Sequence, residues 1–320
     1  MQLGKSTREA FGLALAELGA RDPDIVVLDG DVNNSTRTEY FARRFPERFF
    51  NVGIAESNMV SIAGGLASCG KKPWLASFAA FVMCNAFDQL RMSVAFPRLD
   101  VKVVGSHAGI SIGEDGPSQM GIEDIALACA LPHFVVVVPA DEVSTRWVVQ
   151  ALAAHRGPAY LRVGRPNVPV VYDRAVCLQL GERPLRLGKA VPLRTGTDVT
   201  LIANGLMVAA ALQAAERLAR EGIEARVLDM HTVKPLDEDA VVQAARETGR
   251  IVVAEEHLPY GGLGSVVAQC VARHAPVPMR FVALPDTYAE SGKPEELLAK
   301  YGLTADHIVQ AARELVCQPA

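Results

Sequence analysis

The chain has 320 residues, half of them apolar, and its 36 acidic and 32 basic side chains leave a formal charge of −4. That length suits two domains of roughly 150 residues each. The near-balance of charge leaves no basic footprint for nucleic acid. No signal peptide is read in the sequence, and no apolar run is long enough to span a membrane. Six cysteines (Cys69, Cys84, Cys129, Cys177, Cys270, Cys317) stand singly without CxxC spacing. Neither a zinc site nor a disulfide framework is indicated, and a reduced cytoplasmic enzyme is expected.

Residues 5–20 carry helical periodicity, with Ser6 or Thr7 as the cap. Asp24–Leu28 reads as a strand that empties into the polar loop D-G-D-V-N-N-S-T. Ligands of open α/β sheets bind at the carboxyl edge of the strands, which flags Asp31 and Ser35. Lys72–Ala76 is the next strand, and S-F-A-A-F-V-M-C-N-A-F-D-Q-L-R-M follows as an apolar, helix-like segment. Aromatics spaced like Phe78, Phe81 and Phe87 are more often core than a cofactor box.

After the strand Asp100–Gly105 comes S-H-A-G-I-S-I-G-E-D-G-P-S-Q, too long and too rich in glycine for a simple turn. Its His107 and Asp115 are the groups best able to move a proton or recognise a hydroxyl. Gly121–Cys129 looks helical, Phe134–Val138 is an apolar strand, and Asp141 caps a helix running to His155. The strand Ala159–Val163 delivers Arg162, Arg165 and Asn167 at or beyond its end. From about Pro166 to Arg186 the periodicity fades.

A second α/β unit follows, with strands at Asp198–Ala203, Ala225–Asp229, Arg250–Glu255 and Met279–Ala283. Helices are expected at Leu206–Glu221 and Asp237–Glu247, and others open near Ser265 and at Pro294. The G-G-L-G run before Ser265 could cradle an anion on backbone amides, although tight helix packing explains it as well. Strands alternating with helices imply two consecutive domains, each a mostly parallel sheet flanked by helices.

The chain is organised around Asn51–Ala67, N-V-G-I-A-E-S-N-M-V-S-I-A-G-G-L-A. It sets one carboxylate, Glu56, among apolar neighbours at the start of a helix with a small-residue face (Ser57, Ser61, Gly64, Gly65). A buried anion there needs a cationic or proton-donating partner, and without one its pKa should rise. The plainer reading is an acid favoured by the helix dipole.

The motifs L-D-G-D-V-N-N-S-T, I-A-E-S-N-M-V-S-I-A, S-F-A-A-F, S-H-A-G-I-S-I-G-E-D-G-P-S-Q-M-G-I-E-D-I-A and V-G-R-P-N together make the chain resemble the C-terminal half of transketolase, essentially end to end. The resemblance implies a pyrimidine-binding domain over 1–170, a linker over 171–190, a C-terminal domain over 191–320, and thiamine diphosphate as cofactor. It implies that Glu56 hydrogen-bonds N1′ of the aminopyrimidine, with a catalytic role for His107 beside it. Phe78 and Phe81 would pack around that ring, with Asp31 on the cofactor side. Ser35, His107, Asp115, Gln119 and Arg165 would contact the sugar phosphate. Arg91 lies in the family's pattern without a firm role. Some members carry histidine at the position of Gln119 and animal-type members carry glutamine, so that histidine's role does not transfer.

The family binds Mg²⁺ and the diphosphate through G-D-G followed about thirty residues later by Asn-Asn. Here D-G-D lies on the other domain and no suitable pair follows. The resemblance therefore implies a separate N-terminal subunit of roughly 270–300 residues that holds Mg²⁺, with a self-dimer of this chain inside a heterotetramer. The leading expectation is a split transketolase moving a two-carbon ketol unit between sugar phosphates. The rivals are a specialised enzyme for apulose 4-phosphate or a sulfonated sugar, a 1-deoxyxylulose-5-phosphate synthase-like enzyme, a 2-oxoacid dehydrogenase β subunit, and a subunit with a dead site.

Overall fold

In the computed structural model, residues 1–180 and 185–317 are described. Residues 181–184 of the expected 171–190 linker and the last three of the chain lie outside them. The strands are β1 Leu3–Ser6, β2 Ile25–Asp29, β3 Phe49–Asn51, β4 Lys72–Phe78, β5 Lys102–Ser106, β6 Val135–Val137, β7 Ala159–Arg162 and β8 Asn167–Pro169. They continue as β9 Val191–Arg194, β10 Val199–Ala203, β11 Ala225–Asp229, β12 Thr232–Lys234, β13 Ile251–Ala254 and β14 Met279–Val282.

The first sheet has the order β12-β6-β7-β5-β4-β2-β3 and the second β14-β13-β10-β11-β9. Every pairing in them is parallel except those of β12 and β9. β2 (I-V-V-L-D), β5 and β10 are buried at every residue. Helices cover both faces of such sheets, so these strands read as apolar runs and not as alternations. Both domains are thus mostly parallel sheets flanked by helices, as the sequence predicts.

Four features go beyond the sequence reading. β12, contributed by the second half of the chain, closes the first sheet against β6. β1 and β8 pair antiparallel into a two-stranded clasp, so part of the stretch read as connection is ordered. A short helix, Arg174–Gln179, follows it, with the Asp173 side chain accepting from Val176 N at 2.9 Å. The apolar segment after β4 is helical but widened into π turns at Phe81–Asn85 and Leu90–Ala95. Such turns leave carbonyls poorly matched, and the Ser57 hydroxyl donates to that of Asn85 at 2.7 Å.

The G-G-L-G run is also resolved. Leu263 N and Gly264 N donate to the two oxygens of Glu255, both at 2.7 Å. A Cβ at Gly262 would sit 2.3 Å from that carboxylate and one at Gly264 2.8 Å from the Phe281 ring. The anion on these amides is the chain's own, and the glycines serve packing. Among the described residues no helix is long and apolar enough to cross a membrane.

Candidate active site

β2, β4, β5 and β7 run parallel, so their carboxyl ends share one edge of the first sheet, and the segments that carry most of the flagged residues leave from that edge. Glu56 opens the Glu56–Ser68 helix and is 5% exposed. Its Oε1 accepts from the Ser77 hydroxyl at 2.8 Å, and Oε2 has no hydrogen-bond partner among the described residues. Gly30 of D-G-D permits this approach, since a Cβ there would lie 3.3 Å from both Glu56 Oε1 and Ser77 Oγ.

Next to Ser77, the rings form a column. Phe81 stacks on Phe78 at 5.4 Å, and Phe78 stacks on His107 at 4.0 Å, with planes within 18°. Rings so arranged present an aromatic face to a planar guest.

His107 is buried with φ +56°. Its Nε2 lies 2.9 Å from Arg8 Nη1 and its Nδ1 2.9 Å from Ser106 Oγ. A guanidinium only donates, so Nε2 accepts and the ring proton sits on Nδ1, facing Ser106. Burial first, then the charges of Arg8, Arg165 and Arg37, pull the His107 pKa down to about 3. It is a neutral acceptor near pH 7, and a proton shuttle would need a value closer to that pH.

Arg8 donates also to the Ser35 carbonyl at 3.0 Å, and burial with Arg37 and Arg165 lowers its own pKa to about 10. The Ser35 loop is held from beneath by buried Asp29. It accepts from Val32 N, Thr36 Oγ1 and Thr38 Oγ1 at 2.7–2.8 Å, while burial pushes its pKa up. Arg165 donates to the Ile112 carbonyl at 2.6 Å and lies 3.4 Å from Glu114 and 3.6 Å from Asp115.

The structure joins Phe78, Phe81 and His107 by stacking, links His107 through Arg8 to the Ser35 backbone, sets Arg165 against Asp115, and holds Glu56 on Ser77, the residue before Phe78. Gln119 is half-buried on the same loop as Asp115 and accepts from Ser118. Asp31 is exposed and accepts from Asn51 Nδ2 at 2.7 Å. Arg91 lies elsewhere, against Met92. Arg162 is buried strutwork, paired with Asp124 at 2.8 Å.

Sequence reasoning missed Arg8, Arg37 and Asp29. Arg8 had a signal, because a cation in the first turn of a helix opposes the dipole.

Fold and site define a two-domain α/β subunit with a buried acid, a stack of rings and a cationic cluster at the carboxyl edge of its first sheet. Residues 4–171 match the profile of the transketolase pyrimidine-binding domain, and residues 188–308 that of the transketolase C-terminal domain. The chain belongs to the transketolase family. It is 42% identical to a 6-deoxy-6-sulfo-D-fructose transketolase subunit, SqwH, of Clostridium sp. (strain MSTE9), over 96% of this chain and 94% of that one. It is also 42% identical to the transketolase of Rattus norvegicus, over 97% of this chain and 49% of that one. It thus spans about half the length of such continuous relatives. A solved split-gene transketolase, described as an inactive beta4 tetramer, superposes with a TM-score of 0.90 at 45% identity, over 98% of this chain and 99% of that one.

The family's cofactor is thiamine diphosphate. The residues present fit its aminopyrimidine end: a buried acid with one oxygen unpartnered among the described residues, and a stack of rings that begins one residue after the acid's hydroxyl partner. Among the described residues, no group of three or more His, Cys, Asp or Glu is placed to hold a metal ion.

Proposed function

We propose that this chain is the C-terminal subunit of a two-polypeptide transketolase, moving a two-carbon ketol unit from a ketose phosphate to an aldose phosphate. The observation that carries the reading is the Glu56 carboxyl, buried and bonded among the described residues only to Ser77, the residue before the stacked Phe78, with its second oxygen left without a partner. Thiamine diphosphate, when bound, supplies the carbanion chemistry, and the protein supplies proton control and orientation. Glu56 shares a proton with a ring nitrogen of the pyrimidine, which a carboxyl in an apolar setting is suited to do. Phe78 and Phe81 hold the ring by stacking.

Arg8, Arg165, Ser35 and neutral His107 take the anionic end of the sugar, with guanidinium forks matched to its oxygens. An incoming phosphate competes with His107 for Arg8, and this releases Nε2 to accept from a sugar hydroxyl. Asp115 and Gln119, on the loop after His107, orient the acceptor's hydroxyls.

The diphosphate and Mg²⁺ belong to an N-terminal partner subunit in this reading. It is supported by the near-complete mutual coverage with the split-gene chain. A self-contact within a heterotetramer is supported by the exposed small residues Ser61 and Gly65, flanked by Ile54 at 84% and Phe96 at 79% exposure. A Cβ added at Gly65 would meet nothing within 4 Å, so a second helix could approach closely there. Cysteines scattered singly, without CxxC spacing, are consistent with a reducing cytoplasm.

A second reading, a sulfonated sugar as donor, is favoured by the identity to SqwH, and an arginine rim accepts sulfonate as readily as phosphate. The test is ketol transfer from xylulose 5-phosphate, or from 6-deoxy-6-sulfofructose, to an aldose phosphate with thiamine diphosphate and Mg²⁺. This chain is assayed alone and then with an N-terminal transketolase subunit. Transfer only in the mixture is expected, and the preferred donor separates the two readings. Transfer by this chain alone would refute the two-polypeptide assignment.

A further inference from the structure

The loop from His107 to Gly121 carries His107, Asp115 and Gln119, yet its backbone is fixed by the other domain. Glu256, just past β13, inserts its carboxylate beneath the loop, and Oε1 accepts from Ser111 N at 2.7 Å. Room for it exists because residue 109 is glycine. A Cβ there would lie 2.2 Å from Glu256 Cδ, and φ at that position is +83°.

The same stretch of the second domain grips the loop's far end, where Leu258 N donates to the Ile122 carbonyl at 3.0 Å. Arg162 spans the two grips, donating from Nη2 to the carbonyls of Gly121 at 3.0 Å and Glu256 at 2.9 Å. Farther along, Gly113 lies against Pro294 and Gly116 against Ser291, where added Cβ atoms would come within 3.0 Å and 2.4 Å. The S-G-K-P stretch is therefore a wall for this loop.

An amide bonded to a buried carboxylate is among the stronger hydrogen bonds a protein makes. Losing it leaves Ser111 N buried without a partner.

We infer that Glu256 is a positioning residue for the sugar site: the C-terminal domain uses it to fix the backbone that aims His107 and Asp115. This rests on the reading above that the His107–Gly121 loop binds the sugar. It predicts that sugar affinity depends on a side chain of the other domain.

The test uses Glu256→Ala and Glu256→Gln, with hydrogen exchange measured on the full chain and steady-state kinetics on the complex with its N-terminal partner. Glu256→Ala should speed amide exchange over residues 110–113 about tenfold or more. It should raise the sugar-phosphate KM about tenfold while kcat changes much less. Glu256→Gln keeps an acceptor for Ser111 N and should restore most of both.

Unchanged exchange in Glu256→Ala would overturn the inference, and so would a fall in melting temperature and kcat with KM constant. Faster exchange with KM unchanged would instead refute the assignment of the loop to the sugar and leave the strut standing.

Discussion

Two buried glutamates each meet the amino end of a helix, one in each domain, and the protein treats them differently. Glu255 accepts from Leu263 N and Gly264 N, one amide on each oxygen, so its acceptors are engaged within the chain. Glu56 touches no backbone amide. It takes one hydroxyl, from Ser77, and its second oxygen has no partner among the described residues. In both cases an acid stands where the helix dipole favours one. The difference lies in what remains unmade: a fully engaged carboxylate is a structural cap, whereas an acid with an open acceptor in an apolar wall is available to a ligand.

The same contrast separates the cationic rim from the acid-rich junction between the domains. At the rim, burial and then the crowding of Arg8, Arg165 and Arg37 depress both His107 and Arg8. Glu9, Glu39, Glu114 and Asp115 offset part of that mutual repulsion, and an arriving anion would relieve more of it. At the junction, Asp141 accepts from Ser144, Val171 and Tyr172. The Tyr172 hydroxyl donates to Asp229 at 2.5 Å and ties the connection to the second sheet.

The comparison can be broken at several points. The largest effect expected at the rim is that of Arg8→Gln. Losing a charge-assisted contact to the anionic sugar should weaken binding by about 1.5–3 kcal/mol, or roughly 10–100-fold in KM. In the same variant, the His107 resonance should titrate above its present value of about 3 by NMR. It should stay below 6.5, because burial, the larger cause, persists.

Next in size is the pH dependence of stability. His107 and His231, lowered to about 3 and about 4, refuse protons that the unfolded chain accepts below pH 6.5. Denaturation midpoints should therefore fall as pH drops from 6.5 toward 3. Asp229, raised to about 7 by burial, acts in the opposite sense. The native state keeps a proton that the unfolded chain loses above pH 3.8, and this contribution fades as pH rises toward 7. Asp229→Asn should accordingly gain on the parent as pH rises from about 4 to 7.

The smallest effect belongs to Ser77→Ala. One neutral hydrogen bond, about 1 kcal/mol, should lower turnover roughly fivefold with the unfolding transition nearly unmoved. A loss of more than two orders of magnitude there would mean that Ser77 does more than orient Glu56.

The sheets were legible in the sequence because parallel strands covered on both faces are written as apolar runs such as I-V-V-L and F-V-V-V-V. Glu56, Phe78, Phe81 and His107 were legible as motif residues. That they meet depends on β4 and β5 lying side by side in the sheet. β12 was not legible: T-V-K is three residues long and pairs outside its own domain. The π turns near Phe81 follow from packing and from the Ser57 contact, which no local periodicity encodes. The state of His107 was hidden too. Its depressed pKa comes first from burial that only the assembled loop creates, and then from Arg8, 99 positions away in sequence, and its fellow arginines.

The most direct test sets the two glutamates side by side. Glu56→Gln and Glu255→Gln are each reconstituted with the N-terminal partner, and both turnover and the denaturation midpoint are recorded. The account predicts that Glu56→Gln loses turnover by roughly 10²–10⁴-fold with an unmoved midpoint. Glu255→Gln should instead lower the midpoint, with the turnover of the folded fraction largely kept. Near-normal turnover in Glu56→Gln, or a midpoint loss in Glu56→Gln equal to that of Glu255→Gln, would contradict it.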